Sequence, residues 1–160
     1  MKVIDNFLNK KDFSIIQKDL LSNSFPWYFQ NTVILEGDDD YFFCHLYYTD
    51  VVNSDFYKTH IIPILNKINV SEKQLIRAKA NLYPRSQKSI KHCFHTDRDD
   101  KHKVCLLNMN TNNGYTEFTK EHKVFSKENS AVIFNGNIRH RSVTQTDAKS
   151  RINININYYD

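Results

Sequence analysis

The segment "SRINININYY", residues 150–159, alternates strictly: Ile152, Ile154 and Ile156 fall on one side, Arg151, Asn153, Asn155 and Asn157 on the other. A period of two marks an extended strand, because successive side chains point to opposite faces. One face therefore needs an apolar core, and the other needs water or a polar cavity. An arginine leads the polar face. "LIRAKANLY", residues 75–83, is built the same way, with Ile76, Ala78, Ala80 and Leu82 alternating with Arg77, Lys79, Asn81 and Tyr83.

Outward from these two segments, short apolar runs predict strands at "CFHTD" (93–97), "KVCLLNMN" (103–110), "TEFT" (116–119), "HKVFS" (122–126), "SAVIFN" (130–135) and "IRHRSVTQ" (138–145). Turns are expected at Asn113-Gly114 and Asn135-Gly136, the first as a tight hairpin using positive φ angles. About eight short strands in series point to a mostly β fold, a sandwich or jelly-roll barrel. Ahead of them, residues 5–22 place Phe7, Leu8, Phe13, Ile16, Leu20 and Leu21 at helical spacings, with Asp12 as a cap. Residues 32–49 favour strand around a turn-like "EGDDD" (36–40). "DFYKTHIIPILNKI" (55–68), capped by Ser54, predicts a second helix bent or broken at Pro63.

A chain of 160 residues fits one domain over 1–160. The 22 Lys and Arg are scattered among 18 Asp and Glu, and a net charge of +4 does not argue for nucleic acid. The start "MKVIDNFLNKKDF" lacks the apolar core of a signal peptide, and no run approaches the roughly 18 apolar residues of a membrane span. The chain reads as soluble and cytoplasmic. Three cysteines without C-x-x-C spacing indicate neither a disulfide framework nor a zinc ribbon.

Chemistry concentrates in "CFHTDRDD", residues 93–100. On a strand, His95 and Asp97 would share a face and could converge on one ion. His140, several strands later, is the candidate third ligand. Two imidazoles and a carboxylate form the facial set typical of non-haem Fe(II), which leaves coordination positions open. An isolated H-x-D is a weak motif, and a polar pair solvating a turn is the bland alternative. Arg151 could bind a carboxylate through two parallel charge-assisted hydrogen bonds, or lie exposed on an edge strand. Asn81 and Tyr83 could hydrogen-bond the same acid, or merely solvate a sheet.

Cys93 would allow a Cys/His/Asp zinc site, although a small core thiol is the simpler reading. His92, His102 and His122 read as solvated surface residues, His45 and His60 as structural histidines, and Asp99 and Asp100 as loop charges. Arg139 and Arg141 should face away from His140, while Tyr115, Thr116 and Phe118 are candidates to line a substrate side. Trp27 reads as packed against the barrel.

The ordered series "NLY", "HTD", "NNGYTEF", "AVIF", "HRS" and "SRINI", spanning roughly residues 76–159, resembles the Fe(II)- and 2-oxoglutarate-dependent dioxygenases. It is most similar to the small prolyl 4-hydroxylase-like enzymes of bacteria and phages. The resemblance implies a double-stranded β-helix (jelly-roll) with amino-terminal helices packed on one sheet. It implies Fe(II) held by His95, Asp97 and His140. It also implies 2-oxoglutarate held at its distal carboxylate by Arg151, with Tyr83 and Asn81 as further contacts, and O2 as oxidant. The reaction implied is hydroxylation of a peptide, amino acid or small-molecule C–H bond, with release of succinate and CO2.

Prolyl hydroxylases commonly carry Lys where this chain has Arg151, so proline itself is not implied. Asn81-x-Tyr83 is similar to the alkylation-repair branch, which keeps a nucleic-acid oxidative demethylase as one alternative; a non-catalytic cupin-like metal-binding module is the other. No basic aromatic groove is legible, so nucleic acid is not the expected partner.

Overall fold

The computed structural model describes residues 1–33, 40–119 and 122–160. Along the chain come β1 (Lys2–Ile4), α1 (Lys10–Leu20), β2 (Tyr28–Gln30), β3 (Phe42–Thr49), β4 (Val51–Val52), α2 (Ile62–Ile68) and β5 (Leu75–Pro84). Then follow β6 (Lys103–Asn108), β7 (Tyr115–Phe118), β8 (Lys123–Phe125), β9 (Ser130–Asn135), β10 (His140–Val143) and β11 (Ser150–Tyr158). The larger sheet has the order β1-β9-β6-β11-β5-β3-β2, with β4 paired to β3, and the smaller has the order β10-β7-β8. Every ladder is antiparallel.

The alternating strand lies at the centre of the larger sheet. Arg151 faces Tyr83 across the β11–β5 ladder, Asn153 faces Asn81, and Ile154 faces Ala80. The isoleucine face meets the helices: Ile152, Ile154, Ile156, Ala78, Ala80, Cys105 and Leu107 pack with Phe13, Ile16 and Leu20 of α1 and with Ile64 and Leu65 of α2. Each such isoleucine, wholly removed from water, contributes about 1.5–3 kcal/mol of transfer free energy. A smaller cluster, Val104, Leu106, Phe118, Val124, Val132 and Phe134, closes the space between the two sheets. The polar face of β11 looks into that same space, which is the architecture of a double-stranded β-helix backed by helices on one sheet.

Several local expectations shift. Helix α1 starts at Lys10, and its cap is Asn9, whose side chain accepts the Asp12 N–H at 3.0 Å; Asp12 lies within the first turn. Pro63 does not break α2, because it sits in the first helical turn, where its missing N–H is not needed. A π-helical turn over Tyr57–Ile61 joins that start to the preceding chain. Ser54 caps this entry, its Oγ accepting from the Phe56 N–H at 3.1 Å. Most of "EGDDD" lies outside the described residues.

Asn113-Gly114 is not a hairpin. The residues precede β7, which pairs with β8 and β10 and not with β6, and Asn113 is not among the positive-φ residues. The "CFHTD" segment forms no ladder either: Lys91, just ahead of it, and His95, within it, touch the smaller sheet at isolated bridges, with Val143 and His140 respectively. Four residue steps on one side thus oppose three on the other, a bulge that re-aims the side chains between the bridges.

Candidate active site

The second of those bridges assembles the site. His95 N–H donates to His140 O and His140 N–H to His95 O, each at 2.9 Å. Residues directly opposite in an antiparallel pair project to the same side. Cross-strand pairing therefore sets the two imidazoles together, with ring centroids 4.7 Å apart. His95 Nε2 lies 3.9 Å from Asp97 Oδ1, and a ligand atom from each of His95, Asp97 and His140 falls within 4.8 Å of the others.

These groups are chemically ready for a cation. His140 Nδ1 donates to Ile138 O at 3.0 Å and His95 Nδ1 more weakly to Cys93 O at 3.4 Å, which leaves both Nε2 lone pairs free. Burial, reinforced by His140, lowers the His95 pKa and favours the neutral ring. Burial by itself would raise the Asp97 carboxyl. Against it, His140, hydrogen bonds from Asn157 and Asn155, and the Arg77 charge hold the group at about 2. Asn157 and Asn155 both donate to Oδ2, at 2.8 and 3.1 Å, while Oδ1 faces His95. Cys93 is exposed and outside this cluster.

Beside the cluster lies a partly open cavity whose lining includes Asn81, Tyr83, His95, His140 and Arg151. Arg151 is 1% exposed, yet among the described residues it has no carboxylate partner. Its donors go to hydroxyls instead: Nε to Ser126 Oγ at 2.7 Å, one terminal nitrogen to Ser142 Oγ at 2.6 Å and the other to Thr116 Oγ1 at 3.1 Å. The Tyr83 ring lies 5.6 Å from the guanidinium carbon. Burial pulls the Arg151 pKa down, and the neighbouring Tyr83 phenol opposes that shift. A buried cation met only by neutral hydroxyls suits an anionic ligand.

Asn81 donates to Asn153 Oδ1 at 2.9 Å across β5 and β11; its own Oδ1, like Asn155 Oδ1, is buried with no hydrogen-bond partner. Of the six site residues expected from sequence, Asn81, Tyr83, His95, His140 and Arg151 line this space, and Asp97 groups with the two histidines at its side. The supporting set has no sequence motif of its own: Asn155, Asn157 and Arg77 on Asp97, the three hydroxyls on Arg151, and Gly114. A Cβ at Gly114 would lie 2.8 Å from Arg151 Cδ, so this glycine serves close approach. Strand alternation was the available signal for Asn155 and Asn157, which share the face of Arg151.

Elsewhere, His92 and His102 are buried, contrary to their surface reading. His92 packs by the Tyr83 ring and lies 3.6 Å from Asp40, and His102 fills the space over Gly136. His45 and His60 are structural as expected: Ser54 and the Pro26 carbonyl hold the first, Tyr47 and Asp19 the second. Thr116 and Phe118 face inward, whereas Tyr115 packs against Phe125 and Lys123. Arg141 turns away from His140 to Glu117 and stacks on Phe94. Among the described residues no helix is long and apolar enough to cross a membrane.

No protein-family model and no curated relative matches the sequence. Solved structures do. A prolyl hydroxylase from Trichoplax adhaerens, in complex with a hypoxia-inducible-factor oxygen-degradation-domain peptide fragment, superposes with a TM-score of 0.68 at 15% identity, covering 99% of this chain and 83% of that one. A Pseudomonas putida prolyl-4-hydroxylase gives 0.65 at 12% identity, over 99% and 92% of the two chains. An oxidoreductase of the 2OG-Fe(II) oxygenase family from Burkholderia pseudomallei gives 0.63 at 12%, over 91% and 78%. The chain therefore has the double-stranded β-helix fold of these oxygenases.

Proposed function

We propose that this protein is an Fe(II)- and 2-oxoglutarate-dependent dioxygenase that hydroxylates a C–H bond of a peptide, amino acid or small molecule, releasing succinate and CO2. The observation that carries this reading is the convergence of His95, Asp97 and His140 beside a cavity that also contains a buried guanidinium without a carboxylate partner. A module that held a metal ion alone would have no use for that guanidinium.

His95 and His140 would each offer Nε2, and Asp97 would offer Oδ1, which its paired asparagines leave free. Arg151, aligned by Ser126, Ser142 and Thr116, would bind the distal carboxylate of 2-oxoglutarate. Tyr83 and Asn81 complete that wall, the phenol ring covering the guanidinium and the Asn81 amide tying β5 to Asn153 of β11. When bound, Fe(II) and 2-oxoglutarate supply the oxidising chemistry, reducing O2 while 2-oxoglutarate loses CO2 and becomes succinate. Leu106 and Phe134 in the lining limit water around the reacting groups.

The test is to load the protein with Fe(II) without oxygen, then admit O2 with 2-oxoglutarate. Succinate should form in step with 2-oxoglutarate consumed, and its failure to exceed the metal-free sample would contradict the reading.

A further inference from the structure

We infer that the cleft next to the metal centre selects a substrate carrying a carboxylate, and that Lys79 is the residue that binds it. This deepens the proposed function and rests on it for the word substrate; the binding itself does not.

One face of β5 serves two spaces. Tyr83 and Asn81 line the cavity of Arg151, while Lys79 and Arg77, next along the same face, line a second cleft with Tyr28, Phe42, Cys44 and Leu46. Arg77 links the second cleft to the candidate metal ligands, one of its terminal nitrogens lying 3.5 Å from Asp97 Oδ1. A molecule in the second cleft would therefore lie on the Arg77 side of Asp97.

The charge there is unbalanced. Arg77 is engaged, its Nε donating to Asn157 Oδ1 at 3.1 Å and its terminal nitrogen facing Asp97. Lys79 Nζ rests 5.6 Å from the centre of the Phe42 ring, and among the described residues no hydrogen bond or ion pair holds it. No carboxylate is among the described residues lining the cleft. A partly buried ammonium without an acceptor lacks the partner that would offset its lost hydration. A carboxylate supplies that partner through charge-assisted hydrogen bonds. One uncommitted cation matches one negative charge, whereas a phosphate dianion would call for more donors than Lys79 offers. Phe42, Leu46 and Tyr28 suit an apolar or aromatic portion of the same molecule.

The test uses the Mn(II)- and 2-oxoglutarate-loaded protein, so that Arg151 and the metal are already engaged. The probes are N-acetyl-phenylalanine, its carboxamide, and an amide-capped peptide with one glutamate or, as control, glutamine. Wild type should bind at least one of the two acids about tenfold or more tighter than its amide counterpart. Which acid shows the preference distinguishes a free acid from an acidic peptide. The preference should fall below about twofold in Lys79→Met and persist in Lys79→Arg. Lys79→Gln gives the same reading should the methionine variant not fold.

Equal binding of acid and amide, no acid binding at about 10 mM, or a preference kept in Lys79→Met would overturn the inference. So would a preference lost in Arg151→Met but not in Lys79→Met. Because the metal-free protein is titrated alongside, a failure of metal-dependent 2-oxoglutarate binding counts against the proposed function. A failure of the acid preference counts against Lys79.

Discussion

Asn157 donates its Nδ2–H to Asp97 Oδ2 at 2.8 Å, and Asn155, two positions earlier on β11, donates to the same oxygen at 3.1 Å. The strand that carries Arg151 at one end thus orients the candidate metal carboxylate nearer its other end.

Removing these donors should loosen the metal while the apolar face of β11 keeps the fold. Asn157→Ala is expected to weaken Mn(II) binding by about 10- to 100-fold, the usual effect of losing a group that orients a ligand. Calorimetric titration with Mn(II), with the thermal midpoint as a control for folding, checks this. Unchanged affinity would mean that the amide does not matter to Asp97.

Arg151 pairs function against stability. Its guanidinium is buried without a counter-charge, so Arg151→Met should leave the protein at least as stable in urea, by about 1 kcal/mol or more in the favourable direction. The same variant should weaken 2-oxoglutarate binding by about tenfold or more. Destabilisation with intact 2-oxoglutarate affinity would show Arg151 to be a packing residue.

Gly114→Ala tests the space around that guanidinium. The added methyl would meet Arg151 Cδ at 2.8 Å, Asn112 Oδ1 at 2.9 Å and the Val143 carbonyl at 3.0 Å. Overpacking of this kind destabilises by about 1–3 kcal/mol. The urea midpoint should fall and 2-oxoglutarate affinity should fall with it.

His45 and His60 give the fold a pH dependence. Burial lowers the pKa of both, and for His60 the neighbouring Asp19 opposes the shift without reversing it. Unfolded, each titrates near 6.5 and takes up a proton that the folded state resists. Stability is therefore fully present above about pH 6.5 and declines as pH falls below it, by at most about 1.4 kcal/mol per unit for each ring. Urea midpoints measured between about pH 7.5 and 5 should decline, and a flat profile would contradict the assignment.

What the sequence made legible was whatever repeats locally. The alternation of Ile152, Ile154 and Ile156 with Arg151, Asn153, Asn155 and Asn157 places the core on one side of β11 and the cavity on the other. The ordered His95, Asp97, His140 and Arg151 series identifies the residues that meet there. Long-range partners leave no local pattern. Strand alternation would by itself bring His95 and Asp97 together, yet the bulged segment forms no ladder, and it is the bridge from His95 to His140 that aligns the rings. At Asn113-Gly114 the local signal is that of a turn, whereas the constraint on Gly114 is the Arg151 side chain arriving from another strand. His92 and His102 sit among charged sequence neighbours, but the Tyr83 ring on β5 and Gly136 after β9 form their surroundings.

The central claim is that His95, Asp97 and His140 hold a metal next to the anion site of Arg151. It is tested most directly by titrating 2-oxoglutarate into the protein without oxygen, with and without Fe(II). The account predicts one saturable equivalent of 2-oxoglutarate bound only when Fe(II) is present, and its loss in both His140→Ala and Arg151→Ala. Binding of equal strength without the metal, or none in its presence, would contradict it.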